Sequence, residues 1–525
     1  MTLYSKDHPA AVLLVFSLPL ILSGMLQQLY SWADAYIVGH VVGEEALAAV
    51  GMTTAVSNLF TMSMTGFTLG LSILAAQKYG KKEYETLPRI LSAFLVLLVP
   101  ACALCAAAGC IWEKALLDAL RTPADIAEFT GQYLRVILLG MPFLAVYNLY
   151  SALLRAIGDS RTPFFAIVLS SVVNVVLDIV FVAVCRWGVG GAAWATSISQ
   201  IAMAVFIVWY AETKRPLLHL SLKEKLVQPH IVAQGWRFAL PPAVQSSVMA
   251  LGNMALQQFM NGFGSATVAA VTTAYRIDLI MLLPIINLGS AVSTMVAQSK
   301  GAGNLTKAQS FCRYGVALNA AISFLLMIVM AAFGGKLVAL FGVGDEAASI
   351  GSEFFRQISV YYVCFGIASA LRGAVEGIGL VLYSSVVGVA SLLARIALSY
   401  ALAPYLGNMA IAHAEGLQWI VMLACYVPYF LWHKKSGRLA VIYASQPVGT
   451  DNIILNASSA VAGRSGASVL NHCLYNFWNS PVSFSFARAA LTSFCSSVLF
   501  LLRAKAKYSD FVSGMSMISY LPLPS

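Results

Sequence analysis

The chain has 525 residues, of which 59% are hydrophobic and 10% charged, with a formal net charge of +10. Soluble domains hold about 25% charged residues, so this composition and a mean hydropathy of +0.79 exclude a soluble globular protein and indicate an integral membrane protein. The basic excess lies in short loops between apolar runs, which argues against a nucleic-acid partner.

A membrane-spanning helix needs about 20 apolar residues. Six runs of that kind lie near 11–38, 47–74, 88–112, 130–153, 163–184 and 190–211. Six more follow near 237–260, 267–298, 311–333, 355–375, 380–402 and 411–432. The expected fold is an all-α integral membrane protein of twelve transmembrane helices in two six-helix bundles, with an irregular C-terminal tail. The first run is too long for a cleaved leader and is followed by further spans. Most of the nine cysteines lie in apolar spans, so no secreted disulfide framework is expected. Cys102 and Cys105 form a CxxC inside LVPACALCAAAG, where packing accounts for them better than redox or metal chemistry.

Loops after the even-numbered spans are basic. They carry Lys78, Lys81, Lys82 and Arg89, then Arg155 and Arg161, then Lys214, Arg215, Lys223, Lys225 and Arg237. The second half repeats the pattern with Lys300, Lys307 and Arg313, then Arg372, then Lys434, Lys435 and Arg438. The opposite loops hold few cations and include Glu44–Glu45 and Asp345–Glu346. The positive-inside rule therefore puts the N-terminus and the exit of span twelve in the cytoplasm. The charged stretch 212–236, with two prolines, is expected as a cytoplasmic linker between an N-terminal lobe at 10–211 and a C-terminal lobe at 237–435. Residues 436–525, Ser-rich and without apolar periodicity, read as a disordered tail.

The two halves repeat each other. FSLP at Phe16–Pro19 returns as FALP at Phe238–Pro241, a shift of 222. GEEALAAV at Gly43–Val50 answers GSATVAAV at Gly264–Val271, and AAQKYG ending at Gly80 answers VAQSKG ending at Gly301, both shifts of 221. LLRAIGDS at Leu153–Ser160 answers ALRGAVEG at Ala370–Gly377, a shift of 217. Each unit has an even number of spans, so the copies share one orientation, as in transporters whose two bundles rock about a central site. On this alignment Asp34 pairs with Ala255 or Leu256, Asn174 with Ser391 and Asp178 with Arg395. The membrane acids then belong to the first half alone.

Those acids are Asp34 in LQQLYSWADAYIVG and Asp178 in SSVVNVVLDIVFVAV. A carboxylate in hydrocarbon costs on the order of 3 kcal/mol, so each is expected to face a partner or a wet cavity. Asn174 stands four residues before Asp178, on the same helical face. The turn into span six centres near Trp187, nine residues after Asp178 and nine before Thr196, so antiparallel helices bring those two to one depth. Tyr133 enters at the same end of span four. Two carboxylates, an amide, a hydroxyl and a phenol form an all-oxygen setting for a hard cation, and equally one in which two acids share a proton. Sodium and proton both stay open. The seven histidines are scattered and GVGGAA at Gly188–Ala193 is a turn, so no enzyme is expected.

The stretches SLPLILSGMLQQLYSWADAYIVGHVVGEEALAAVG, LLRAIGDSRTP, NVVLD and GGAAWATSISQ together resemble the multidrug and toxin extrusion (MATE) family over about residues 10–435. The likeness is to the bacterial branch that keeps its cation site in the N-terminal lobe. It implies a monomeric, multi-pass plasma-membrane antiporter that exports small organic, often cationic, compounds in exchange for sodium or protons, without a cofactor. It assigns the cation site to Asp34, Asn174, Asp178 and Thr196, with Tyr133 beside it. It further assigns the bend of span one to Pro19 and the first-lobe cavity lining to Gln27 and Asn148. Gln27 is seven residues from Asp34, about 10 Å along one helical face, where it either lines the cavity or bonds a neighbouring helix. Pro19 leaves a backbone carbonyl without its helical donor. Another branch keeps an acid in span seven, where this chain has Met249. The alternative is a flippase of lipid-linked saccharides from the same superfamily. Such a protein is expected to carry several cavity cations for a pyrophosphate group, and the first half here offers acids instead.

Overall fold

The computed structural model describes residues 8–119, 122–220 and 227–435, and every regular element among them is helical. The first half runs α1 (Pro9–Val41), α2 (Glu44–Gly80), α3 (Thr86–Ile111), a short α4 (Glu113–Ala119) and α5 (Ala127–Ala156). It continues with α6 (Arg161–Asp178), a π-helical turn Ile179–Val184, and α7 (Gly188–Lys214). The second half runs α8 (Pro229–Asn261), α9 (Ser265–Met281), α10 (Leu283–Gly301), α11 (Leu305–Leu340) and α12 (Asp345–Ile358). It ends with α13 (Tyr362–Gly377), α14 (Val381–Leu406) and α15 (Ala410–Lys435).

Length and apolarity alone select nine spanning stretches among the described residues, or ten with the bent α9–α10 pair. One of these, Val381–Phe430, is a hairpin in which α14 and α15 pack side by side. The remaining passage is α8, whose prolines and polar residues hold its hydropathy down. The twelve passages expected from sequence are thus present. Large apolar side chains such as Leu104, Ile111 and Leu340 project outward, as helices with internally satisfied backbones do in lipid. The chain is a multi-pass membrane protein.

Two spans are less regular than their sequence suggests. The expected helix 267–298 breaks at Leu282 with a bend of 42°. Pro284 lies just past the break and has no N–H for the Ile280 carbonyl, so the α-helical ladder cannot run through. The expected span 355–375 begins ten residues earlier, at Asp345, and tightens into a 3-10 turn over Ser359–Tyr361.

Helix ends run into the expected linker from both sides. Helix α7 continues to Lys214 and α8 begins at Pro229, so most of 212–236 is drawn into helices or ordered structure. A proline in the first turn is pre-set for a helix start. Between them Leu218 is fully buried against the first-half core, and His219 Nδ1 lies 2.7 Å from Glu212. The expected tail, 436–525, and residues 221–226 lie outside the described residues.

Turn geometry fixes the register of the repeat. Left-handed backbone occurs at Gly43 and Gly264, at Lys82 and Gly303, at Gly158 and Gly379, and at Arg186 and Gly407. Each pair is 221 residues apart. Left-handed φ is rare outside glycine, so its recurrence marks register more strictly than apolar side chains, which interchange freely within a span. The alignment shift of 217 is therefore wrong. AIG at 156–158 superposes on GIG at 377–379, Asn174 corresponds to Arg395, and Asp178 corresponds to Ser399.

Helix packing follows from small residues, because lipid gives no hydrophobic drive for helices to associate. Helix α2 lies along α8, where a Cβ on Gly66 or Gly70 would strike the carbonyls of Pro242 or Phe238. At the crossing of α2 and α10, Gly80 meets the Gln298 carbonyl and Gly301 meets the Gln77 carbonyl. The same glutamines reach further: Gln77 Nε2 donates to the Gly377 carbonyl at 2.9 Å and Gln298 Nε2 to the Ala156 carbonyl at 2.7 Å. These contacts obey the 221-residue repeat on both sides. In LLRAIGDSRTP, Asp159 accepts from the Thr162 amide at 3.0 Å and hydroxyl at 2.9 Å, and from Arg215 Nε at 3.0 Å. The motif thus ties the start of α6 to the end of α7.

Candidate functional site

Helices α1, α5, α6 and α7 meet beside the α1–α2 turn. Asp34 sits seven residues before the end of α1, and Asp178 closes α6 where the helix widens into the π-turn. Asp178 is fully buried, and Asn174 and Asp34 are nearly so. Neither oxygen of Asp178 has a hydrogen-bond partner, nor does Asp34 Oδ1 or Asn174 Oδ1. Asn174 Nδ2 donates to Thr196 Oγ1 at 3.4 Å, which turns its free carbonyl oxygen away from that bond. Tyr133 lies close to Thr196 and within electrostatic reach of both Asp34 and Asp178. The structure therefore brings together Asp34, Tyr133, Asn174, Asp178 and Thr196. The π-turn after Asp178 is consistent with a functional locus, since such turns concentrate there.

Both Asp178 oxygens, Asp34 Oδ1 and Asn174 Oδ1, with no Lys or Arg partner among the described residues, leave a concentration of negative charge in a buried setting. A cation or a proton relieves that cost. The oxygens suit a hard cation of modest size, and the adjacent acids equally suit a shared proton. Tyr30 belongs here as well: it is one turn before Asp34 and within its electrostatic reach. The i, i+4 spacing on α1 was the signal available for it.

The other expected residues lie apart from this cluster. Gln27 is on an exposed stretch of α1. Asn148 donates to the Leu144 carbonyl at 2.9 Å and to Met64 Sδ at 3.7 Å, joining α5 to α2. Pro19 lies inside an α1 that continues through it as one helix, and its carbonyl accepts from the Ser23 hydroxyl at 2.7 Å. A cavity of about 540 Å³ opens at the α8–α9 turn, lined in part by Asn261, Thr272, Thr273 and Arg276. None of the first-half residues lines it.

The second half overturns the expectation that membrane acids are confined to the first. Asp278 in α9 and Glu415 in α15 are both buried, at 3% and 9% exposure. Arg395 in α14 contacts Glu415 Oε2 at 2.8 Å and the Tyr275 hydroxyl at 2.7 Å, with its Cζ 5.7 Å from the centre of the Tyr275 ring. The Tyr362 hydroxyl donates to Asp278 Oδ1. Asp278 was legible as an acid in the middle of the apolar run 267–298, but Arg276 two residues earlier disguises it as half of a charged pair. Arg276 is in fact exposed, on another face.

A family model described as MatE matches residues 19–180 and again 241–401. The chain belongs to the MatE family. The double match is the internal repeat seen from outside. Among relatives, the probable multidrug resistance protein YpnP of Bacillus subtilis is 30% identical over 384 residues, covering 72% of this chain and 85% of its own. Among solved structures, MATE in the bent conformation gives a TM-score of 0.76 at 23% identity, over 84% of this chain and 98% of that chain. An outward-facing multidrug resistance MATE family transporter gives 0.77 at 22% identity, over 83% and 97%. At those identities the structures speak to the fold alone.

Proposed function

We propose that this protein is an antiporter that exports organic, often cationic, compounds in exchange for sodium or protons taken up at the Asp34–Asp178 site. The observation that carries the reading is the set of partnerless oxygens on Asp34, Asn174 and Asp178, in a buried place with no basic side chain among the described residues to neutralise them. Family membership and the name of the Bacillus relative support a drug-like substrate. In this reading the two repeats are lobes that rock about a central cavity, with the basic loops facing the cytoplasm. A bound cation and an organic cation compete for the same charge deficit, so uptake of one favours release of the other. Asp34 and Asp178 hold the exchanged ion, Asn174 and Thr196 complete its oxygen shell, and Tyr133 closes the site beside them. Gln27 and Asn148 lie on the substrate's path.

The test is efflux of a fluorescent organic cation from proteoliposomes under separately imposed sodium and proton gradients. One of the two gradients is expected to drive wild-type efflux, and Asp178→Asn should lower it to the protein-free background at equal reconstitution. Undiminished gradient-driven efflux in Asp178→Asn would refute the site. Movement of a lipid-linked saccharide with no response to organic cations would replace the exporter reading by a flippase.

A further inference from the structure

Asp278 sits where two spans lose their regularity. It lies in the last turn of α9, four residues before the 42° bend at Leu282. Its partner Tyr362 is the first residue of α13, immediately after the 3-10 turn Ser359–Tyr361. Thirteen residues of helix separate it from Ser265, about 20 Å of rise, which places it well within a hydrocarbon layer of about 30 Å. Interrupted helices deep in a membrane are tolerated where they line a site. Here both interruptions flank one hydrogen bond.

The groups that face Asp278 are few. Tyr362 comes from α13, Arg395 from α14 and Glu415 from α15. On the packed helix α12, Glu353 and Arg356 pair with each other at 3.3 Å and are largely exposed. Arg395 and Glu415 cancel as an ion pair, so the fully ionised cluster carries one net negative charge, and that charge is on Asp278. Within this cluster Arg395 Nε is buried and has no partner among the described residues. The cluster is therefore not a closed structural lock.

We propose that Asp278 is a second proton-carrying carboxylate, loaded and unloaded in the second half separately from the Asp34–Asp178 site. The chemistry favours a proton over a metal cation. A metal ion needs several oxygen ligands and would sit within reach of the permanent charge of Arg395. A proton needs one oxygen, neutralises the excess charge in place, and leaves Oδ1 to accept from Tyr362. The proton comes from water and returns to it, with no bond made or broken elsewhere. Any motion that straightens the α9 bend or unwinds the 3-10 turn separates Asp278 from Tyr362 and so changes its hold on the proton. The inference rests on the antiporter reading only for its consequence, a second ion in the cycle, and not for the proton itself.

The experiment is pH-difference infrared spectroscopy on the purified full chain, with Asp34→Asn and Asp178→Asn already in place to silence the first-half acids. A carbonyl band of a protonated carboxyl is expected to disappear as pH rises, and to be absent when Asp278→Asn is added. Tyr362→Phe in the same background should move both the band position and its pH midpoint. A band of unchanged intensity in folded Asp278→Asn protein overturns the proposal. Should that variant fail to fold, an unmoved band in Tyr362→Phe overturns it equally. Normal transport by the first-half variants would sink the first-half site and leave this band, and this proposal, standing.

Discussion

The two halves share the register of their left-handed turns, 221 residues apart, yet they handle buried charge differently. In the first half, Asp34 and Asp178 are buried without a basic partner and keep orphaned oxygens. In the second, the position equivalent to Asn174 is Arg395, which binds Glu415 and Tyr275. Among the described residues, one half buries its two acids with no basic side chain beside them, and the other sets a guanidinium against Glu415. The scaffold is common to both copies, and one equivalent position holds a neutral amide in the first and a guanidinium in the second.

The largest effect should come from erasing that difference. Asn174→Arg copies the second-half residue into the first, where its guanidinium would pair with Asp178 and satisfy it permanently. Ion-driven efflux should fall to background while membrane expression stays close to wild type. Retained coupling in this variant, measured per molecule in proteoliposomes, would break the comparison at its centre.

A second change acts on the other half. Arg395→Gln leaves Glu415 buried without its cation, and removal of one partner of a buried pair typically costs about 3–5 kcal/mol. Thermal unfolding in detergent should show a clear drop in midpoint. Glu415→Gln added to it should recover much of the loss, because two neutral amides are cheaper to bury than one unpaired charge. No recovery in the double variant would mean that Arg395 holds the bundle by packing rather than by charge.

The smallest effect concerns the shared scaffold. Arg186 and Gly407 are 221 residues apart and both have φ of 56°, but Gly407 has ψ of −135°, outside the left-handed helical region. Left-handed backbone costs a non-glycine residue roughly 1–2 kcal/mol, offset in part by the larger entropy that glycine loses on folding. Arg186→Gly should stabilise by up to about 1 kcal/mol, and Gly407→Arg should destabilise by about 1–3 kcal/mol because its φ and ψ together are rarely adopted outside glycine. A Cβ at Gly407 meets nothing within 4 Å, so that cost would be one of backbone alone. Equal melting points in the two variants would show that backbone conformation at these turns does not set stability.

The sequence by itself determined the class of protein, the twelve passages and the existence of the repeat, because apolar length and duplicated text are local properties of the chain. It also brought out Asp34, Asn174, Asp178, Thr196 and Tyr133, since helical spacing and equal distances from a tight turn translate directly into depth. Register inside the spans was another matter. Apolar residues substitute for one another, so an alignment of LLRAIGDS with ALRGAVEG looked sound until the left-handed turns at Gly158 and Gly379 fixed the shift at 221. Asp278 and Glu415 were on the page as letters, but whether a membrane acid is paired depends on residues brought from other helices. Tertiary structure alone decided that Glu415 has Arg395 and Asp278 has Tyr362, while the carboxylate of Asp178 has no partner. Side-chain partnership across a bundle is set by how helices are rotated and where they bend, and neither is encoded in the periodicity of any one span.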